Sequence, residues 1–89
     1  MTYRVELSAR ARKDFNALDR DLESRLAARI DELALNPHDP RISGTLTGLG
    51  NLRKSRVGGW RIIFTLDDVN HVVYVITIGR RGQVYRRLS

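Results

Sequence analysis

Two nearly continuous apolar segments in the second half of the chain place the strongest constraint on the fold. They are Ile62–Phe64 and Val72–Ile78, and both are rich in β-branched residues. Apolar runs of this length and composition are typical of strands that are covered on both faces. Gly58-Gly59 signals a tight turn before the first run, and residues 67–70 separate the two runs. The pattern predicts three successive strands in an antiparallel meander: Leu52–Val57, Trp60–Leu66 and His71–Gly79.

The pattern of apolar and polar residues in the first half of the chain predicts one strand and two helices. Apolar and charged residues alternate from Tyr3 to Leu7, as in a half-buried strand. Ser8 is a suitable N-cap for a helix that starts at Ala9. The buried face of this helix is expected to carry Ala11, Phe15 and Leu18, and its exposed face Arg10, Arg12, Lys13 and Asp14. A second helix, with apolar residues from Leu22 to Ala34, ends at Asn36-Pro37, because the residue before a proline avoids the helical region.

This order of elements predicts an α+β fold in which a helix hairpin packs against a small sheet. The length of 89 residues leaves room for one core, so residues 1–89 are expected to form a single domain. The first strand is expected to pair with a distant strand, because a strand of five residues is unstable alone. Residues 37–51, with both prolines and three glycines, predict a connecting loop. The segment RRGQVYRRLS at residues 80–89 indicates neither a helix nor a strand.

The distribution of charge points to a polyanionic partner. Residues 53–89 carry eight basic and two acidic side chains, so the whole net charge of +6 lies in the second half. Seven of the eight are arginines, which bind phosphate bidentately. The chain has no cysteine, which excludes thiol nucleophiles and cysteine-ligated zinc. It has neither a signal-like start nor an apolar run of membrane length, so a cytoplasmic protein that does not contact membranes is expected.

The basic residues of the strands define a candidate site. Lys54 and Arg56 alternate on one strand and project to the same face, and Arg61 follows across the Gly58-Gly59 turn. Arg80, Arg81 and Tyr85 come at the end of the last strand. We expect these groups to converge on one face of the sheet, as a cationic site with one phenol. The alternative is a solvated basic surface with Tyr85 packed on the core.

Other residues carry weaker signals. His38 and His71 are too few and too far apart in the chain to indicate a metal site, and no glycine-rich phosphate loop is present. Asp67 and Asp68 are typical turn residues, and Trp60 is more consistent with a core or edge aromatic than with a base-stacking residue. We therefore expect no metal and no other cofactor.

Two longer motifs resemble a known family. Residues 46–64 read LTGLGNLRKSRVGGWRIIF, which resembles the central motif of the RelE/ParE toxin superfamily. Residues 76–85 read ITIGRRGQVY, which resembles its closing motif. The opening strand, the helix hairpin and the loop after it also fit, so the resemblance covers nearly the whole chain. It implies a RelE-like fold.

The resemblance also implies an activity and its residues. RelE-type toxins of type II toxin–antitoxin systems cut messenger RNA in the ribosomal A site, whereas ParE-type toxins poison DNA gyrase. The residues that match the RelE-type catalytic positions are Lys54, Arg56, Arg61, Arg81 and Tyr85. Lys54 is a candidate base or electrostatic partner, and Tyr85 a candidate for proton transfer or base stacking. Arg53, Arg80, Arg86 and Arg87 are expected to bind RNA. Some relatives place a histidine where this chain has Arg80.

The expected function is therefore ribosome-dependent cleavage of messenger RNA through attack of its own 2′-hydroxyl, without a metal. The expected partners are a RelB-like antitoxin, the 70S ribosome with its messenger and ribosomal RNA, and operator DNA only through the antitoxin complex. One alternative is a ParE-like gyrase inhibitor without nuclease activity. The other is a family member that only helps its partner to bind operator DNA.

Overall fold

The computed structural model describes residues 2–46 and 48–88. The elements in chain order are β1 (Arg4–Leu7), α1 (Ala9–Asn16), α2 (Arg20–Leu35), β2 (Gly44–Thr45), β3 (Arg53–Val57), β4 (Trp60–Asp67), β5 (Val72–Arg80) and α3 (Arg81–Leu88). The predicted first strand, helix pair and three-stranded meander are confirmed. Thr47, in the predicted loop, and the two terminal residues lie outside the described residues.

The five strands form one sheet in the order β1-β5-β4-β3-β2. Strands β3, β4 and β5 are antiparallel, as predicted for the meander. Strand β1 pairs in parallel with β5, with Arg4 beside Val72 and Leu7 beside Val75, so the first strand does join a distant one. The short β2 pairs with β3 inside the segment predicted as a loop, because two residues are too few to show a periodic pattern.

Both helices of the hairpin start at a side-chain cap. Ser8 Oγ accepts a hydrogen bond from Ala11 N at 3.0 Å, and Asp19 Oδ1 accepts one from Leu22 N at 2.9 Å. Helix α2 is the longest, with 16 residues. Within the described part of the chain, no helix combines the length and apolar character needed to cross a membrane.

The sheet is covered on both faces, which explains its continuous apolar runs. On one face Ile62 and Phe64 pack with the helix hairpin in the larger core cluster, whose other buried residues include Leu26, Leu33, Val73 and Val75. On the opposite face Ile63 packs with Leu46 and Val84 in a smaller cluster. Consecutive residues of β4 are therefore buried on opposite faces.

Helix α3 follows β5 directly, in the segment that gave no pattern in the sequence. Its Val84 is fully buried, and Tyr85 and Leu88 pack against the same smaller cluster. These three residues lie on one side of a helix of only eight residues. So short a stripe, surrounded by arginines, is not distinctive in the sequence.

The prediction that Asp14 lies on the exposed face of α1 is wrong. Its side chain is 7% exposed, because the carboxylate faces the edge of β5 beyond the end of β1. There Asp14 Oδ2 accepts hydrogen bonds from Ile78 N and Thr77 Oγ1, both at 2.9 Å. The carboxylate thus satisfies a strand-edge amide that the short first strand does not reach.

Ser8 should contribute more to stability than an ordinary N-cap, since its hydroxyl also donates to the Ile76 carbonyl at 2.5 Å. We expect Ser8→Ala to lower the free energy of unfolding by about 1–3 kcal/mol. Ser24→Ala, the same change at an exposed position of α2, should change it by less than about 0.5 kcal/mol. Urea denaturation of both variants provides the measurement, and equal effects would contradict this assignment.

Candidate active site

Four of the five predicted catalytic residues come together around the phenol of Tyr85. Lys54 lies on β3, Arg61 on the central strand β4, Arg81 at the start of α3, and Tyr85 one turn further along that helix. The Arg81 guanidinium carbon is 5.9 Å from the centre of the Tyr85 ring. Arg61 and Lys54 are both close enough to perturb the phenol. The structure therefore brings these four of the predicted residues together.

Gly79 creates the space in which α3 reaches the site. It pairs with Arg61 across β4 and β5. A Cβ atom at Gly79 would lie 2.7 Å from Gln83 Oε1 and 3.1 Å from Val84 Cγ1. A side chain here would turn the Gln83 amide away and crowd the buried Val84, so glycine favours the close packing of α3 on β5.

Arg61 is a buried cation. The residue is 7% exposed, and its Nε has no hydrogen-bond partner within residues 2–46 and 48–88. A buried donor without a partner, like a buried charge without a counterion, costs free energy. The site is therefore prepared to bind an anion next to Arg61.

The surrounding cations change the acidity of Tyr85. Burial of the phenol raises its pKa, but a hydrogen bond from Arg61 and the positive charges of Lys54, Arg61 and Arg81 lower it. The cationic contribution is the larger in total, and the pKa of Tyr85 lies below its ordinary value of 10.0. A larger fraction of this phenol is therefore ionised at neutral pH than of an ordinary tyrosine.

Arg56, the fifth predicted catalytic residue, lies beside this centre. It is exposed on the same face of β3 as Lys54, and both side chains line a cleft of about 180 Å³. Residues 40–44 form the other wall of this cleft. Arg29 of α2 donates hydrogen bonds to the Arg56 carbonyl at 2.5 Å and to Ser55 Oγ at 3.1 Å, which holds β3 in place.

Arg80 does not join the cationic face, so that part of the prediction is wrong. It pairs with Trp60 across the sheet, and its guanidinium carbon lies 5.5 Å from the centre of the indole. Trp60 packs against the larger core cluster, on the side of the helix hairpin. Because side chains alternate along a strand, Arg80 and its neighbour Gly79 face opposite sides of the sheet.

The other residues predicted to bind RNA have different surroundings. Arg53 donates to Ser43 Oγ from Nε at 3.0 Å and from Nη2 at 2.9 Å, and so ties β3 to the preceding loop. Arg86 is exposed on α3. Arg87 forms an ion pair with Asp14, with Nη1 3.0 Å from Oδ2. This pair was not predicted, since 73 positions separate its members.

Comparison with known proteins shows the family of this chain. The family model described as "ParE toxin of type II toxin-antitoxin system, parDE" matches residues 5–85. The chain belongs to the RelE/ParE toxin superfamily. More specifically, it is a RelE-like toxin of a type II toxin–antitoxin system.

Three relatives show how far the similarity extends. The toxin is 31% identical over 86 residues to Toxin RelE of Mycobacterium tuberculosis, covering 94% of this chain and 87% of the relative. A mutant form of Escherichia coli RelE in the free state shares the fold, with a TM-score of 0.80 at 24% identity over 97% of this chain and 93% of that one. The RelE–RelB complex of Pyrococcus horikoshii matches with a TM-score of 0.77 at 25% identity, over 93% of this chain and 99% of that one.

The tyrosines of the toxin should ionise in a defined order. Tyr85 should ionise below pH 10.0, and Tyr3 above it, because Tyr3 donates a hydrogen bond to Asp68 at 2.6 Å and that bond raises its pKa. Ultraviolet titration of the toxin and of Tyr85→Phe isolates the Tyr85 component by difference. Arg61→Met, which removes the bonded cation and keeps a similar side-chain length, should raise the pKa of Tyr85. A Tyr85 component at or above 10.0 in the unsubstituted toxin would contradict this description of the site.

Gly79→Ala should displace α3, since its new methyl group overlaps Gln83 and Val84. We expect the free energy of unfolding to fall by about 1–3 kcal/mol and the pKa of Tyr85 to rise towards 10.0. Gly82→Ala, within α3 and with nothing inside 4 Å of its Cβ position, serves as the control and should cause neither change. Equal behaviour of the two variants in denaturation and phenol titration would refute the close-approach argument.

Proposed function

We propose that the toxin is a ribosome-dependent endoribonuclease that cleaves messenger RNA in the ribosomal A site without a metal ion. The observation that carries this proposal is the buried guanidinium of Arg61, unpartnered at Nε in the described structure, beside a phenol of lowered pKa. A phosphodiester brings the negative charge that Arg61 lacks, and the phenol supplies a proton acceptor beside it. Residues 1–89 acting as one toxin domain form part of the same proposal.

The chain offers a group for each requirement of this reaction. Attack by the 2′-hydroxyl needs a proton acceptor, neutralisation of the developing phosphorane charge, and a proton for the leaving oxygen. In the proposed step Arg61 and Arg81 bind the non-bridging phosphate oxygens. Tyr85, as the phenolate, takes the 2′-hydroxyl proton while the O2′–P bond forms and the P–O5′ bond breaks. The Lys54 ammonium gives a proton to O5′, which leaves a 2′,3′-cyclic phosphate and a free 5′-hydroxyl.

Dependence on the ribosome follows from the weakness of this base. A single phenol cannot supply the whole rate acceleration, but holding the 2′-oxygen in line with the phosphate can contribute about 7–11 kcal/mol. The decoding site holds the messenger in a defined path and can provide that orientation. Arg56, exposed in the cleft beside Lys54, is placed to bind the next phosphate of the same strand. Arg86, exposed on α3, is a further candidate contact to RNA.

We propose a RelB-like antitoxin as the partner that silences this site. Among the similar structures, the P. horikoshii relative is a RelE–RelB complex. An acidic antitoxin segment would neutralise the second half of the chain, which carries the entire net charge of +6. Contact with operator DNA would then come only through the antitoxin. Cytoplasmic location follows from action on ribosomes.

The proposal predicts site-specific cleavage that depends on the cations around Tyr85. Primer extension on a defined messenger, with the toxin added to programmed ribosomes or to naked RNA, should show cuts within the A-site codon only when ribosomes are present. Lys54→Ala and Arg81→Ala should each lower the cleavage rate by at least about a hundredfold, because each removes a group next to the reacting phosphate.

Arg4→Ala is the matched control, since Arg4 lies on the edge strand β1 and pairs with exposed Glu6. It should cleave at the unsubstituted rate. Absence of cleavage with ribosomes, from toxin that still arrests growth, would overturn the nuclease proposal. Survival of growth arrest in Lys54→Ala and Arg81→Ala would then favour gyrase inhibition, the activity associated with the ParE description of the family model.

A further inference from the structure

Beyond the residues around the phenol, a second polar cluster holds the other end of α3. Arg87 Nη1 donates hydrogen bonds to Asp14 Oδ1 at 3.1 Å, to Asp14 Oδ2 at 3.0 Å and to Thr77 Oγ1 at 2.7 Å. The Asp14 and Arg87 side chains are 7% and 21% exposed, and Thr77 is 2% exposed. One carboxylate thus joins α1, β5 and α3.

We infer that Asp14 is a positioning residue that acts through Arg87 and α3 to hold the Tyr85 phenol against Arg61. This inference rests on the proposed function of the Tyr85 site. Asp14 touches no reacting atom in this scheme. Its carboxylate fixes the orientation of the helix that carries the phenol, and Thr77 supports the contact from β5.

Because α3 is short, it needs a contact of this kind to fix its orientation. A helix of eight residues is unstable by itself, so its position depends on the contacts it makes with the rest of the fold. Val84, the buried residue of α3, anchors the helix near its middle, and the contact of Arg87 with Asp14 fixes a second point near its end. Tyr85 and Arg87, two residues apart, point about 200° apart around the helix. The contact of Arg87 with α1 on one side of α3 therefore determines the orientation of Tyr85 on the opposite side of the helix.

The hydrogen bonds and the ion pair of this cluster make the position of α3 depend on the Asp14 carboxylate. Removal of the carboxylate would leave the Thr77 hydroxyl and the Ile78 amide without this acceptor and the Arg87 guanidinium without its counterion. A partly buried cation that loses its partner tends to move towards water, and the contact that holds α3 against α1 would then be lost. The Tyr85 phenol would then move away from Arg61.

The test compares Asp14→Asn with Asp31→Asn, which removes a carboxylate from the exposed surface of α2. Two measurements are made on the purified full chain: phenol titration without RNA, using the Tyr85→Phe difference, and cleavage at varied concentrations of programmed ribosomes. In Asp14→Asn the pKa of Tyr85 should rise towards 10.0, and kcat should fall about tenfold or more with KM within about twofold. Asp31→Asn should match the unsubstituted toxin in both.

Thr77→Val provides a second variant that keeps the side-chain shape and removes the hydroxyl shared by Asp14 and Arg87. It should shift both readouts in the same direction by a smaller amount, and it decides the question if Asp14→Asn does not fold. Unchanged phenol titration in the folded variants would overturn the inference and leave Asp14 a purely structural residue. Since the titration needs no RNA, failure of the unsubstituted toxin to cleave would overturn the proposed function alone.

Discussion

The fold depends on one buried carboxylate that completes the sheet where its first strand stops. Strand β1 pairs with β5 only as far as Val75, and the next part of that edge is covered by α1 instead of another strand. Asp14 accepts the Ile78 amide there and binds Arg87 at the same time. An unpaired amide at this edge would cost free energy, and so would an unpaired guanidinium. One acceptor with two oxygens satisfies both, and thereby links the helix hairpin to the face that carries the site.

The site itself is a compromise between stability and binding. The charged groups that shift Tyr85 are all cations, and Arg61 among them lies on the central strand, nearly excluded from water. Such a group contributes little to folding, and in the proposed function it is the group that binds the phosphate. The absence of a side chain at Gly79 leaves room for Gln83 and Val84 of the helix that carries the phenol.

The sequence predicted the elements that have a repeating pattern of apolar residues. It did not predict contacts that depend on a single side chain. The period of two in β1, the Ser8 cap of α1, the end of α2 before Pro37, and the continuous apolar runs of β4 and β5 predicted those elements closely. The basic positions of the motifs predicted the cluster of Lys54, Arg61, Arg81 and Tyr85. Arg80 follows the alternation of β5 and lies over Trp60, away from this cluster. Asp14 looked like an ordinary helix-surface charge, since its partners lie 63 to 73 positions away and no local spacing connects them.

The parallel pairing of β1 with β5 has a consequence for the order of folding. The β3–β4–β5 meander joins neighbours in the chain and can form early, whereas Arg4 meets Val72 only after a long loop has closed. Until that closure, α1 has no β5 edge to cover and α3 has no carboxylate to bind. The contact between Asp14 and Arg87 is thus among the last to form, after the meander and α3 are already in place.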